Sequence, residues 1–343
     1  MSRKILLSDA IDEYLDVSIS SKAPGTLPAL RSSLKSFLTD VGNIYTKSLD
    51  VRHVERWLIS NRHWAASTRA VMIGRVSGFM NWMRRRNYLE PRANPMDGIG
   101  GGKIARKPRL FIPRHDFGRV LDVAGESGPR DRIITALGLF LMVRASEMRL
   151  ITWGDVDEEI AVYRSKVYDY DDLPISRDLA AELATWRNVL CRNLEVTAPD
   201  PRWYVMCRLT RADDRNEDGT FVGSRGGGYL PDQPLVRPLL RIKPILARAG
   251  YGGAGVGMHT LRRSGAQAML EHMMDSGLGR DRAFDTVRDM LGHGDVHTTM
   301  VYLDWQTNRK RRNQLVRDMT LLEPEGGEVI ELKGNRGEDR TAV

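Results

Sequence analysis

The 343-residue chain carries 52 lysines and arginines against 44 aspartates and glutamates, a net charge of +8, with 41% hydrophobic and 28% charged residues. That length allows two domains with cores of their own, and no stretch approaches the roughly 18 to 20 consecutive apolar residues that span a bilayer. The opening residues are too polar for a secretory signal. The two cysteines, Cys191 and Cys207, exclude a disulfide scaffold or a cysteine-rich metal site, so a reducing cytosol is expected.

Four helices are expected first. Ser8 to Ser18 is amphipathic through Ile11, Tyr14 and Leu15. Thr26 is placed to cap a helix running to Asp40 that carries Leu30, Leu34, Phe37 and Leu38. Asp50 caps a third through Trp57 and Leu58. Ser67 caps a fourth, with Met72, Val76, Phe79 and Met83 on one stripe. Residues 1–108 hold 18 basic against 9 acidic residues, a net of +9, whereas the remainder nets −1. A basic helical unit suits a polyanion, because phosphate neutralisation dominates nucleic-acid affinity. Lys22, Thr26, Arg31, Ser67, Arg69, Arg75, Arg84, Arg85 and Arg86 are the candidate DNA contacts.

Pro91 and Pro95 break the fourth helix, and Gly98 to Lys103 continues as a flexible basic connector. The expected organisation is therefore a helical unit 1–92, a linker 93–108, a mixed unit 109–322 and a tail 323–343. In the mixed unit, helices are expected over Pro113–Ala124, Asp131–Leu150, Leu179–Leu194 and Leu235–Ala249. Strands are expected over Glu159–Tyr163 and Asp172–Ile175 as a hairpin, and over Trp203–Cys207. Residues 210–234 read as an exposed loop. Gly250 to Gly255 formally matches a dinucleotide fingerprint, but it follows a helix and not a strand, so it is a loop.

The chemistry is concentrated late. His259-Thr260-Leu261-Arg262, Leu291-Gly292-His293 and Tyr302 follow one another, with Arg144-Ala145-Ser146-Glu147 far upstream. Arginine forks bind phosphate oxygens bidentately without losing charge. A tyrosine hydroxyl with a pKa near 10 needs a base or a positive field to become a nucleophile. Each piece alone has a structural reading, His293 as a helix cap, Arg144 as an ion-pair partner of Glu147, Tyr302 as core. A zinc site on His293 and His297 lacks a third spaced ligand.

Taken in order, with nine residues from His293 to Tyr302, these pieces resemble the active site of the tyrosine recombinases, the lambda-integrase-like strand-exchange enzymes. The resemblance implies an all-α N-terminal core-binding domain and a mainly α catalytic domain with a small antiparallel β-sheet. It makes Tyr302 the nucleophile and Arg144, Lys166, His259, Arg262 and His293 its activating set, with Glu147 holding Arg144. Lys166, as the general acid, falls between the two hairpin strands. Two departures are notable. The acidic run Asp169 to Asp172 follows Lys166 where relatives carry basic or polar residues, and Arg263 stands where histidine is common.

The same resemblance implies site-specific recombination through a 3′-phosphotyrosine and a Holliday junction, with no cofactor, metal or ATP. Its partners are double-stranded DNA with inverted-repeat core sites, three further copies in a homotetramer on two duplexes, and a DNA-bending or directionality factor. No membrane is involved, and the place of action is the bacterial nucleoid. Because the chain starts almost directly at the core-binding domain, either a compact phage or mobile-element integrase or a chromosome-dimer resolvase is expected, and the glycine-rich insertion around 210–230 favours the phage type. A type IB topoisomerase and a DNA-binding protein with a degenerate site are the rival readings. The C-terminal residues Asp304–Leu322 read as a helix and Glu328–Leu332 as a strand for protomer contact.

Overall fold

A computed structural model describes residues 4–22, 24–89, 94–102, 109–164, 169–210 and 228–303. Lys166, the segment 211–227 and everything from 304 onward, including the expected C-terminal helix and strand, lie outside the described residues. The chain divides into two compact units, residues 1–107 and 108–343.

The first unit is helical: α1 Leu7–Ile19, α2 Leu27–Val41, α3 Val51–Ser60 and α4 Ala66–Arg85. Each turns its apolar stripe inward, and Phe37, Trp57, Val76, Phe79 and Met83 are fully buried. The edge of Trp57 meets Phe37 at 5.3 Å between centroids, and truncating such a residue costs about 3–5 kcal/mol. The Asp50 side chain accepts from His53 N and its backbone N–H meets the His53 ring, closing a reciprocal cap on α3. The other two expected caps do not form. Thr26 is already in helical geometry with no side-chain bond, and α4 begins at Ala66 with Ser67 inside its first turn.

Part of the expected linker belongs to this unit. Met96 is buried in its core, Ile99 packs on it, and Gly101 lies so close to Ala70 that an added Cβ would meet its Cβ at 3.0 Å.

The second unit begins with α5 Phe117–Glu126 and α6 Pro129–Ala136. The single helix expected over Asp131–Leu150 is broken. Leu137–Leu141 widens into a π turn, Met142 adopts a left-handed conformation at φ 55°, and the chain restarts at Arg144 into the short helix α7 Ala145–Met148. Non-glycine residues visit that region at a cost, and π turns concentrate where function needs a side chain redirected.

The expected hairpin forms, β1 Glu159–Arg164 against β2 Asp169–Pro174, its second strand starting three residues earlier than expected and taking in the acidic run. It is followed by α8 Arg177–Leu194. A second two-stranded antiparallel sheet pairs β3 Cys207–Leu209 with β4 Tyr229–Pro234. The strand expected at Trp203 thus starts four residues later, and the end of the expected loop is paired. Next come α9 Leu239–Arg248, α10 Met258–Asp275, α11 Arg280–Leu291 and α12 Val296–Tyr302.

Helix α10 runs through the core against the π turn. A Cβ on Gly265 would sit 1.8 Å from the Leu139 carbonyl oxygen, so only glycine allows this approach. That approach fixes the start of α10 beside the turn that delivers Arg144.

Candidate active site

Glu147 is the hub. It is 2% exposed, and its carboxylate accepts from the Arg144 backbone N–H at 3.0 Å and from Arg144 Nη1 at 2.7 Å. Arg164 Nη1 donates to it at 3.2 Å, and Arg262 Nη1 lies 3.8 Å away. Burial pushes its pKa up, yet the Arg144 bonds and the neighbouring guanidinium charges outweigh this and hold it below the ordinary range. Three arginines therefore converge on one ionised carboxylate.

Arg262, 2% exposed, rises from the first turn of α10 and donates from Nη2 to the Leu291 carbonyl at 2.6 Å. Burial draws its pKa down to about 10, which leaves it charged at neutral pH. Helix α11 ends in a Schellman turn, with Gly292 left-handed at φ 59° and His293 N donating to the Arg288 carbonyl at 3.1 Å. The His293 ring pairs with the Thr299 hydroxyl at 3.0 Å and stands edge-on to Tyr302, 5.3 Å between centroids.

Asp295 caps α12 through Thr298 N, which sets the helical turn that presents Tyr302. The Tyr302 hydroxyl is buried and finds no hydrogen bond of ordinary geometry among the described residues. Two guanidiniums flank its ring, Arg263 at 5.7 Å and Arg109 at 6.0 Å, and Arg109 Nη1 also donates to the Tyr302 carbonyl at 2.9 Å.

The positive field that a tyrosine nucleophile calls for is present but does not prevail in the free protein. Burial outweighs Arg262, Arg263 and Arg109, and the Tyr302 pKa stays above the usual 10. His259 moves the other way. Burial first, then Arg262, Arg263, Arg144 and Arg109, hold it below 6.5, so the imidazole is neutral at pH 7. His259 and Tyr302 thus share the neighbours Arg262, Arg263 and Arg109, and a neutral imidazole can accept a proton.

The structure thus brings Arg144, Glu147, His259, Arg262, His293 and Tyr302 into one cluster. Sequence reasoning missed Arg164 and Arg109. Arg164 was readable in principle, since it continues the inward alternation of Ile160 and Val162 on β1. Arg109, 193 residues from Tyr302, offered no local signal. Arg263, noted only as a departure, touches the nucleophile candidate directly.

Of the basic residues in the first unit, Lys22, Arg31, Arg84, Arg85 and Arg86 are exposed, as are Thr26 and Ser67, while Arg69 is half-buried. Arg86 lies over the Trp82 ring at 5.6 Å. Arg75 is engaged inside the bundle, donating from α4 to the Ala29 carbonyl at 3.1 Å and the Ser33 hydroxyl at 2.9 Å on α2. Arg75, expected among the DNA contacts, therefore commits its guanidinium to holding α4 on α2.

No family model matches the chain. Among curated proteins it is similar to tyrosine recombinase XerC of Chromohalobacter salexigens, 26% identical over 313 residues, covering 87% of this chain and 92% of that protein. XerC of Pseudomonas syringae pv. syringae strain B728a is 24% identical over 316 residues, covering 86% and 93%. Among solved structures, a lambda integrase dimer bound to a COC' core site superposes with a TM-score of 0.64 at 14% identity, covering 90% of this chain and 79% of that one. XerH bound to a palindromic difH substrate gives 0.59 at 13%, covering 90% and 83%. The fold is that of lambda integrase, mostly helical with small antiparallel sheets.

Proposed function

Starting from the chain's place among the tyrosine recombinases, we propose that it cuts and rejoins DNA at specific sites with Tyr302 as the nucleophile. One observation carries this reading: Arg144, Glu147, His259, Arg262 and His293, drawn from three separate stretches, gather into one buried charged cluster in which Arg262 and His293 face the Tyr302 phenol.

Arg144 and Arg262 hold the non-bridging oxygens of a phosphodiester. Neutral His259 takes the phenol proton as Tyr302 Oη bonds to phosphorus, and His293 donates to the developing charge. The 5′ oxygen leaves and gains a proton, for which Lys166 is the proposed donor. The products are a 3′-phosphotyrosine and a 5′ hydroxyl. That hydroxyl attacks the equivalent ester on a second duplex, giving its proton back to Lys166 while His259 reprotonates the released phenol. Bond energy is retained throughout, so neither a nucleotide nor a metal is called for.

In this reading residues 1–92 grip the duplex through Lys22, Thr26, Arg31, Ser67, Arg69, Arg84, Arg85 and Arg86. Residues 109–322 carry the chemistry, and the tail serves protomer contact. Four protomers act on two duplexes, an arrangement supported by a lambda integrase tetramer bound to a Holliday junction that shares the fold, TM-score 0.60. The glycine-rich sequence around 210–230 favours integration and excision of mobile DNA, carried out on the bacterial chromosome.

The test is to incubate wild type and Tyr302→Phe with DNA flanking the chain's own gene, without metal or ATP, and to look for SDS-resistant adducts. Adducts from wild type alone are expected. Tight binding by both proteins with no adduct from either would make this a DNA-binding protein. Adducts followed only by relaxation of supercoils would favour the topoisomerase reading.

A further inference from the structure

The acidic run after Lys166 has an occupant for one of its carboxylates, and that pairing leads beyond the expected set. Arg164, at the end of β1, is 4% exposed. Asp171, diagonal to it across the hairpin, accepts from Arg164 Nε at 3.0 Å and Nη2 at 2.8 Å. Arg164 Nη1 reaches Glu147 at 3.2 Å, and Nη2 also donates to the Met290 carbonyl at 3.0 Å. Arg262 holds the next carbonyl, Leu291. Two guanidiniums that share Glu147 thus take successive orphan carbonyls at the end of α11, one residue before the Gly292–His293 turn.

Gly292 lies against Arg164. A Cβ there would meet Arg164 Cζ and Nε at 3.3 Å. Arg164 therefore ties three separate pieces together, the hairpin through Asp171, the Arg144 and Arg262 carboxylate through Glu147, and the His293 turn through Met290.

We infer that Arg164, locked by Asp171, is a positioning residue that sets the His293 turn against the Arg144–Glu147–Arg262 clamp. The inference rests on the recombinase reading for its effect on rate, but its geometry is testable without it. Lysine keeps the charge and has neither the fork nor the reach for these partners, so charge alone does not suffice.

The experiment compares wild type, Arg164→Lys, Asp171→Asn and Asp171→Glu on a nicked suicide substrate at saturating protein, alongside amide exchange at Gly292 and His293. Asp171 has 39% of its side chain exposed, so Asp171→Asn is expected to fold and keeps the test decisive if Arg164→Lys does not. Cleavage is expected to slow about 100-fold in Arg164→Lys and about 10-fold in Asp171→Asn, with DNA affinity within about twofold of wild type. Asp171→Glu is expected to restore most of the rate. Exchange at the two amides is expected to quicken while Val287, earlier in α11, keeps its protection.

Unchanged cleavage and unchanged exchange would overturn the inference. So would lost DNA affinity with normal cleavage of the bound complex, which would make Arg164 a DNA contact. If wild type cleaves nothing, the recombinase reading fails, and the exchange measurement still decides whether Arg164 holds the turn.

Discussion

In Tyr302, loss of water around the hydroxyl opposes ionisation while Arg262, Arg263 and Arg109 favour it, and burial prevails. A spectrophotometric titration of wild type against Tyr302→Phe is expected to show a phenol ionising above 10, and Arg263→Ala should move it higher still. A component at or below 10 would mean that the field wins. The His259 imidazole is expected to titrate below 6.5 in an NMR experiment, since burial and four neighbouring arginines disfavour its cation. Glu147 carries a depressed pKa, so its stabilisation is complete above the unfolded carboxylate range and fades as pH falls through its folded value. Glu147→Gln should therefore cost about 3 kcal/mol at pH 7 and much less in acid, measured by urea unfolding at both pH values. These residues were legible in the sequence because each chemical type recurs at a motif spacing. The sign of the Tyr302 shift was not, because burial is a property of everything packed around the ring.

At the scale of elements, the π turn at Leu137–Leu141 and the left-handed Met142 decide where Arg144 points. The apolar run Ile133 to Val143 looks the same whether the helix continues or widens, so sequence periodicity read one helix where there are two. The close approach of α10 supplies the missing constraint. Gly265→Ala places a Cβ 1.8 Å from the Leu139 oxygen and is expected to cost more than about 3 kcal/mol or to prevent folding. Gly74→Ala, mid-helix in α4 with nothing within 4 Å, should instead stabilise by up to about 1 kcal/mol. Denaturant unfolding of both variants separates steric exclusion from a general intolerance of alanine. The hairpin β1–β2 was legible through its alternation, whereas β3 and β4 were not. Their pairing depends on a partner 20 or more residues away, β3 is only 3 residues long, and β4, with 6, shows no alternation of buried and exposed positions.

Across the whole molecule, the excess positive charge resides in residues 1–108. If Arg84 and Arg85 neutralise phosphates, replacing both with alanine should lower the slope of log affinity against log salt by up to about 2, measured by fluorescence anisotropy on a duplex. An unchanged slope would assign them to solvated surface. The sequence alone determined the helical first unit and the order of the chemical motifs, and through their resemblance to the tyrosine recombinases it pointed to Tyr302. The first two follow from periodicity, charge and spacing, which are properties of the linear chain. Only the tertiary structure decided that Arg75 ties two helices together, that Arg109 and Arg263 flank Tyr302, and that Arg164 joins the hairpin to the end of α11. The physical reason is common to all three. A guanidinium finds its partner wherever folding leaves a carbonyl, a carboxylate or a ring unsatisfied, and that position is fixed by how helices and strands pack, not by distance along the chain.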